Sequence, residues 1–244
     1  MTTRDAEHTI GTHMITIDIE TIPDQREGAA QAARSRIAAP GNYKDPDKIA
    51  AYIEERGEKA YRDTALDGSY GEIICIGYAI GHEPAEAIYR DSLDPGSEKN
   101  LIEGFWDMVD SQIVAMPRWI GQRVASFDLR FLWRRSVILD VPPSRVLPMD
   151  APPWSREIAD VSYMWTGDRG RGIKLETLAE VLGIEGCKDD MDGSQVWDAF
   201  LAGRIDEIVD YCVSDVEVAR KAFYRMSFLD PTDSSTYTER PHAV

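Results

Sequence analysis

The segment from Met14 to Thr21, MITIDIET, has the alternating pattern of a β-strand. Its isoleucines alternate with polar residues, and successive strand residues point to opposite faces of a sheet. Asp18 and Glu20 therefore project together from the face opposite the isoleucines. Two neighbouring carboxylates repel each other, and a hard divalent cation relieves this because it takes carboxylate oxygens as ligands. The D-x-E pattern thus indicates a metal site, provided that further acids of the chain reach the same place.

Composition and charge restrict the class of protein. The 244 residues are 43% hydrophobic, which is enough for one substantial core. No run of about 18 apolar residues occurs, so the sequence predicts no membrane span. A formal net charge of −16 argues against a protein that coats nucleic acid, because such coating requires many cations against the phosphates. An enzyme that holds a few nucleotides through metal ions and a local group of arginines remains compatible with this charge.

The ends of the chain are expected to lie outside the folded part. Residues 1–13 are predicted to be a disordered leader without the apolar core of a signal peptide. This leader ends in a segment that resembles a cloning scar, which makes Met14 a candidate for the native start. Residues 229–244 are predicted to be a disordered polar tail. Reduced thiols in a cytoplasmic protein are expected for three cysteines that fit no metal-ligand spacing: Cys75, Cys187 and Cys212.

Signals for strands and helices follow one another in an order typical of an α/β fold with a mixed sheet. Later strands are predicted at 72–81, 87–90 and 118–123. Helices are predicted within 42–66, 100–109, 126–138, 158–166, 174–182 and 204–226. The expected N-caps are Asp45, Ser126 and Asp160, and Gly183 is expected to end its helix. No repeat or linker divides this pattern, so we expect one domain over residues 14–228.

Two segments outside these elements leave their roles open. Lys44 precedes the first helix and could reach a phosphate, although an exposed lysine in contact with solvent is commoner. The stretch 167–172, GDRGRG, places two arginines between glycines. It is either a surface turn or a loop that contacts a substrate.

Two later acids are candidates to join Asp18 and Glu20. Asp128 lies in the first turn of its helix, where the helix dipole favours an acid in any case. Asp215 follows Tyr211 by four residues on the last helix, so both side chains share one face beside the apolar stripe. Each of these acids alone is explained by ordinary helix chemistry, and only the order of all four suggests a common site.

That order resembles the DEDD exonuclease superfamily, which implies a ribonuclease H-like mixed β-sheet flanked by helices. Three motifs are matched in sequence, D-x-E, F-D and Y-x-x-x-D, at Asp18–Glu20, Phe127–Asp128 and Tyr211–Asp215. The tyrosine is typical of the DEDDy branch. The chain most resembles predicted 3′–5′ exonucleases related to the exonuclease domain of B-family DNA polymerases, over about residues 14–227. Its stretches KLETLAEVLGI, MDGSQVWDAF and YCVSDVEVA also look like that family.

The resemblance implies hydrolysis of single-stranded nucleic acid, DNA more than RNA, from the 3′ end, with release of nucleoside 5′-monophosphates. Two Mg²⁺ or Mn²⁺ ions, about 3.5–4 Å apart in such sites, would be held by Asp18, Glu20, Asp128 and Asp215. Tyr211 would orient the attacking water, since a phenol with a pKa near ~10 is a poor general base. The implied partners are nucleic-acid 3′ ends and a polymerase or another replication or repair protein, with no membrane.

The substrate contacts that the resemblance implies are Thr21, Arg123, Ser126, Phe127 and Lys174. One departure from the family affects them. The family's second motif commonly reads HN-x-x-x-FD, whereas this chain has Gln122 and Arg123 at the first two positions. The asparagine usually helps to seat the terminal nucleotide, so the departure concerns substrate preference and leaves the metal ligands intact.

Two other functions compete with the exonuclease. An aspartyl phosphatase would use Asp18 as nucleophile, but its chemistry needs a second aspartate where this chain has Glu20, although Thr21 follows. It would also leave Tyr211 and Asp215 without a role. A catalytically weak, exonuclease-like module that binds nucleic acid is the third possibility. Loss of a metal ligand would mark such a module, and none of the four is lost.

Overall fold

The computed structural model describes residues 14–113, 115–167, 172–186 and 191–230. Within these residues, five strands form one sheet: β1 (Met14–Ile22), β2 (Glu72–Ile80), β3 (Glu86–Tyr89), β4 (Arg118–Gly121) and β5 (Ile158–Asp160). Their order across the sheet is β3-β2-β1-β4-β5. The central strand, β1, pairs antiparallel with β2 and parallel with β4. The predicted α/β class with a mixed sheet is confirmed.

Helices surround this sheet. In the described part of the chain they are α1 (Ala29–Ser35), α2 (Pro46–Arg62), α3 (Ser97–Gln112), α4 (Asp128–Leu139), α5 (Val161–Thr166), α6 (Leu175–Leu182), α7 (Val196–Leu201) and α8 (Ile205–Ser227). The sequence signals identified β1 to β4 and the helices α2 to α6 and α8, and missed β5, α1 and α7. None of the helices in the described ranges is both long and apolar enough to cross a bilayer.

Three of the predicted helix ends are confirmed. The side chain of Asp45 accepts hydrogen bonds from backbone N–H groups in the first turn of α2. The side chain of Asp160 accepts one from the first turn of α5. Gly183 follows α6 with a φ of 67°, in the left-handed region that glycine adopts without strain.

The prediction that Ser126 caps α4 is wrong. The cap position is Phe127, whose ring cannot accept a hydrogen bond from the helix. The Ser126 hydroxyl instead donates to the carbonyl oxygen of Arg123, at 3.2 Å from Oγ. A wide turn, in which the N–H of Leu129 donates to the carbonyl of Val124, contains the serine. The helix therefore begins one residue later than predicted.

The two faces of the sheet have different environments. On one face, five isoleucines pack with α3 and α4 in a single hydrophobic cluster: Ile15, Ile17 and Ile19 of β1, and Ile73 and Ile76 of β2. The other face carries two clusters that involve α6, α7 and α8, one including Met14 and the other Ile22. Asp18 and Glu20 lie on this second face, along β1 between these two residues. The predicted separation of the acids from the isoleucines is confirmed.

A glycine allows α8 to approach the sheet closely. Gly77 on β2 is the cross-strand partner of Asp18. A Cβ atom at this position would lie 2.9 Å from Cys212 Sγ and 3.0 Å from the Cys212 carbonyl oxygen, both on α8. Such distances are too short for carbon contacts, so only glycine fits without movement of the helix. The close approach brings Tyr211 and Asp215 towards the acids of β1.

Candidate active site

β1 presents the first two acids beside a local irregularity. Glu20 pairs with Cys75 and Thr21 with Ile73, so β2 carries one extra residue at this point. Such β-bulges redirect side chains and are common next to active sites. Burial raises the pKa of Asp18 and of Glu20 well above the ordinary range, and the neighbouring acids raise both further.

Asp128 reaches the same strand from the start of α4. β4 pairs with β1 only at Met14–Thr16, and the chain leaves the sheet after Gly121. The backbone N–H of Ile19, further along β1, donates instead to Asp128 Oδ1 at 3.1 Å. Burial raises the pKa of Asp128 to about 8, and Asp160 and Asp215 contribute to the same direction.

α8 supplies the remaining acid and the tyrosine. Tyr211 and Asp215 are both half-buried and lie one turn apart. Burial, followed by the charges of Asp215, Glu20 and Asp18, raises the pKa of Tyr211 above its ordinary value. Asp128 joins the acids of β1, because it bonds to the N–H of Ile19 between Asp18 and Glu20. Tyr211 and Asp215 lie on the helix whose Cys212 contacts Asp18. Their individual catalytic roles stay predictions.

A cavity of about 560 Å³ lies beside this cluster, between the turn before α4 and the first residues of α5. Two of the predicted substrate contacts, Arg123 and Ser126, line it together with Arg130. Asp160 also lines it, and the same carboxylate raises the pKa of Asp128. The cavity is therefore adjacent to the acidic cluster and carries two arginines on its wall.

The other three predicted substrate contacts lie elsewhere. The Thr21 hydroxyl donates to the carbonyl oxygen of Ala65 at 2.7 Å. The Phe127 ring packs against the core, with its centroid 5.6 Å from that of Phe131. Lys174 occupies the N-cap position of α6. These three side chains are not part of the cavity wall, and their roles in substrate binding stay predictions.

The two residues that depart from the family motif hold the chain around the cavity. Arg123 has a φ of 56°, in the left-handed region, and its N–H donates to Asp160 Oδ1 at 3.1 Å. Its guanidinium lies against Gly172, where a Cβ atom would be 2.6 Å from Nη2. The Gln122 amide donates to the carbonyl of Ile173. Within the GDRGRG stretch, residues 168–171 lie outside the described residues, so its role as a turn or a substrate loop stays open.

Sequence reasoning missed two residues of this centre. Asp160 was recognised only as a helix cap, although it also contacts the Arg123 backbone and faces the cavity. The sequence predicts Cys212 only as a reduced thiol, yet its Sγ lies 3.7 Å from Asp18 Oδ2. Cys212 precedes Asp215 by three residues, and this helical spacing was the signal that could have identified it.

The carboxylate side chains of this site are suitable ligands for hard divalent cations. The raised pKa values at Asp18, Glu20 and Asp128 reflect burial and mutual repulsion, which a cation would relieve. Together with Asp215, these side chains offer carboxylate oxygens, the ligands that Mg²⁺ and Mn²⁺ prefer. Divalent metals are typical of exonucleases with such a cluster.

Comparisons with known proteins identify the family of the chain and leave the roles of the site residues as predictions. Residues 72–242 match the model of a family described as "Predicted 3'-5' exonuclease related to the exonuclease domain of PolB". The family B DNA polymerase of the hyperthermophilic archaeon Pyrobaculum calidifontis has a similar fold, with a TM-score of 0.56 and 16% identity over 88% of this chain. That match spans 24% of the polymerase chain. A search of curated proteins found no match. The chain thus belongs to the family of 3′–5′ exonucleases related to the exonuclease domain of polymerase B.

Proposed function

We propose that this enzyme removes nucleotides one at a time from the 3′ end of single-stranded nucleic acid, DNA more readily than RNA, and releases nucleoside 5′-monophosphates. The convergence of four carboxylates from β1, α4 and α8 with Tyr211 carries this proposal. A phosphatase that used Asp18 would give the residues of α8 no role. A module that only binds nucleic acid would not need to keep all four acids.

Asp18, Glu20, Asp128 and Asp215 would hold two Mg²⁺ or Mn²⁺ ions. When bound, such ions lower the pKa of an attacking water and stabilise the 3′ oxygen that leaves. The chain fixes its ligands beforehand, because Asp128 is hydrogen-bonded to the backbone of β1 and Asp18 belongs to that strand. Tyr211 keeps its proton at neutral pH, since its pKa is raised. Its hydroxyl can therefore position a water without deprotonating it.

The adjacent cavity suits the strand that leads to the reacting phosphate. Arg123 and Arg130 offer positive charge on its wall, beside the acids Asp150 and Asp160, in a chain whose net charge is −16. Tyr163 also lines the cavity, and its ring centroid lies 6.0 Å from that of Trp154. Base stacking on aromatic side chains together with cations against the phosphates is the usual basis for binding single strands. These features support a single-stranded substrate.

The test uses DNA and RNA of one sequence, labelled at the 5′ end, with Mg²⁺ or Mn²⁺. We expect a ladder that shortens from the 3′ end, faster on DNA, and 5′-mononucleotides as products. Asp18→Asn keeps the shape of the side chain but removes one charged ligand, so its activity should fall at least ~10²-fold, the scale of one positioned catalytic group. Wild-type activity in this variant would contradict the assignment of Asp18.

Control substrates separate the alternatives. A circular single strand should stay intact, and cuts within it would indicate an endonuclease. Release of inorganic phosphate from nucleotides would favour the phosphatase, and binding without any hydrolysis would favour the binding module.

We further propose that the enzyme acts in the cytoplasm, at 3′ ends exposed by a polymerase or another replication or repair protein. Co-purification of such a protein with the tagged chain would test this.

A further inference from the structure

Cys212 brings a sulfur atom to the acidic cluster. Its side chain is fully buried, at 0% exposure. The thiol donates to the carbonyl oxygen of Asp18, with 3.5 Å from Sγ to oxygen, and Sγ lies 3.7 Å from Asp18 Oδ2. Asp18, Glu20 and Cys212 each offer one ligand atom, and these three atoms all lie within 4.8 Å of one another. The described residues therefore hold one sulfur and two carboxylates at a single point.

A site with one thiolate and two carboxylates prefers a different class of metal ion from a site made of carboxylates alone. A thiolate is a soft ligand and selects ions such as Zn²⁺, whereas Mg²⁺ takes oxygen. Tetrahedral Zn²⁺ binds sulfur at about 2.3 Å and carboxylate oxygen at about 2.0–2.2 Å, which places the two ligand atoms roughly 3.5 Å apart. The 3.7 Å between Cys212 Sγ and Asp18 Oδ2 is close to that span. Only small side-chain adjustments are needed for both atoms to reach one ion.

The thiol must lose its proton when such an ion binds. In the metal-free protein the thiol carries its proton, because it donates to the carbonyl oxygen of Asp18. On binding, the S–H bond breaks, a metal–sulfur bond forms, and the proton passes to water or buffer. The double positive charge of the ion offsets the anionic ligands that it gathers.

We propose that Cys212, with Asp18 and Glu20, forms a site for a thiophilic divalent ion such as Zn²⁺, which competes with the hard ions of the catalytic centre. The competition rests on the proposed function, because the two carboxylates would be shared. An enzyme that is active with Mg²⁺ would then be inhibited by Zn²⁺. Cys75 provides a matched control, since it is equally buried and in contact with Cys212 but lies outside the three-residue group.

Titration of the metal-free protein with Co²⁺ tests the ligand directly. Co²⁺ can replace Zn²⁺, and a cobalt–thiolate bond gives a near-ultraviolet charge-transfer band that carboxylates do not give. A parent protein with Cys187→Ser leaves only Cys75 and Cys212 as thiols. We expect the band in this parent and in its Cys75→Ser derivative, and no band in Cys212→Ser. No band in the parent, or an equal band in Cys212→Ser, would overturn the proposal.

Because Cys212 is buried, its substitution could impair folding. Thermal melts of Cys212→Ser and Cys212→Ala therefore accompany the titration. If neither variant folds, Asp18→Asn replaces them, since it keeps the thiol and removes one charged ligand. Loss of a ligand should weaken Co²⁺ binding at least ~10-fold, given that even outer partners of metal ligands matter to that extent. Unchanged Co²⁺ affinity in Asp18→Asn would contradict the site.

Inhibition provides a second readout. At a fixed Mg²⁺ concentration, the Zn²⁺ concentration for half-inhibition should rise at least ~10-fold in Cys212→Ser and remain unchanged in Cys75→Ser, each relative to its own uninhibited rate. A cobalt band without any hydrolysis would refute the proposed function and leave the Cys212 site intact. Mg²⁺-dependent hydrolysis without the cobalt band would refute the Cys212 site and leave the proposed function intact.

Discussion

Asp128 is the clearest example of how burial affects a single residue of the acidic cluster. Its pKa is raised to about 8, whereas an aspartate in an unfolded chain has a pKa of about 3.9. Between these values the folded protein holds a proton that the unfolded chain has released. The free energy of unfolding therefore falls as pH rises through this window, because the slope follows the difference in bound protons. The contribution of Asp128 is fully present below pH ~4 and is lost as the pH passes about 8.

We expect the melting temperature of the metal-free protein to fall between pH 5 and pH 8. Differential scanning fluorimetry in a chelator measures this decline. Mn²⁺ should reduce it, since a cation stabilises the charged carboxylates. Asp128→Asn, which cannot ionise, should show a smaller decline than wild type. Identical pH profiles for both proteins would show that the carboxyl group does not titrate in this window.

Tyr211 has a hydroxyl that can orient a water but is not expected to bind metal. Tyr211→Phe keeps the ring and removes one hydrogen bond, so kcat should fall by ~10²–10⁴-fold, as for other positioned catalytic groups. Mn²⁺ affinity, measured by calorimetry, should barely change. Tyr224→Phe on the same helix is the control, because the Tyr224 hydroxyl bonds to His82 and its ring stacks on the same imidazole. A near-normal kcat in Tyr211→Phe would show that the ring serves only in packing.

The residues of the site differ in how far the sequence revealed them. Asp18, Glu20, Asp128, Tyr211 and Asp215 stood out because their order along the chain matches a known family. The hydrogen bond between Asp128 and Ile19, which brings α4 to β1, could not be predicted from the sequence, because the two residues are 109 positions apart. Cys212 and Asp160 could not be assigned to the site from sequence, because a reduced thiol and a helix cap explain them locally. Only the folded chain places them beside the acids.

Among the elements, the contact between α8 and β2 controls the geometry of the site. Gly77→Ala would place a carbon atom 2.9 Å from Cys212 Sγ and 3.0 Å from its carbonyl oxygen, so α8 must shift. We expect a loss of about 1–3 kcal/mol in the free energy of unfolding, as for other overpacked sites. The hydrolysis rate should fall as well, because Asp215 moves with the helix. Urea unfolding and kcat measure the two effects.

The control for this change is Gly104→Ala on α3. An added Cβ atom at Gly104 meets nothing within 4 Å among the described residues, and alanine is the better helix former. This variant should be at least as stable as wild type, with unchanged activity. If Gly77→Ala behaved in the same way, the close approach of α8 would not be required for the site.

Elements were predictable from sequence to the extent that they were long enough to show a period. The strands β1 and β2 and the helices α2, α3 and α8 each cover nine residues or more, and all five were predicted. β5 has three residues, too few for an alternating pattern. α5 and α7 both have six residues, but α5 begins at the capping side chain of Asp160, whereas α7 has no side-chain cap to mark its start. The start of α4 was misplaced because the preceding turn depends on a tertiary contact between Arg123 and Asp160.

For the molecule as a whole, the net charge of −16 means that nucleic acid must be attracted locally. Arg130 lines the cavity, so Arg130→Ala should raise KM for single-stranded DNA and change kcat little. The dependence of log Kd on log salt should fall by about 0.7 for a lost phosphate contact. Arg134→Ala is the control, because Arg134 lies on the same helix but pairs with Asp67 at 3.0 Å. Equal KM values for both variants would remove the cavity from the substrate path.

The hydrogen bond from Ile19 to Asp128 also affects how much protein a cell would contain. Asp128→Ala leaves the buried N–H of Ile19 without its acceptor, which costs about 1–3 kcal/mol. A loss of that size can lower steady-state abundance several-fold through proteolysis. Asp128→Asn retains an oxygen that can accept the bond. An alanine allele would therefore combine absent chemistry with scarce protein, and only the asparagine allele would separate the two in a genetic experiment.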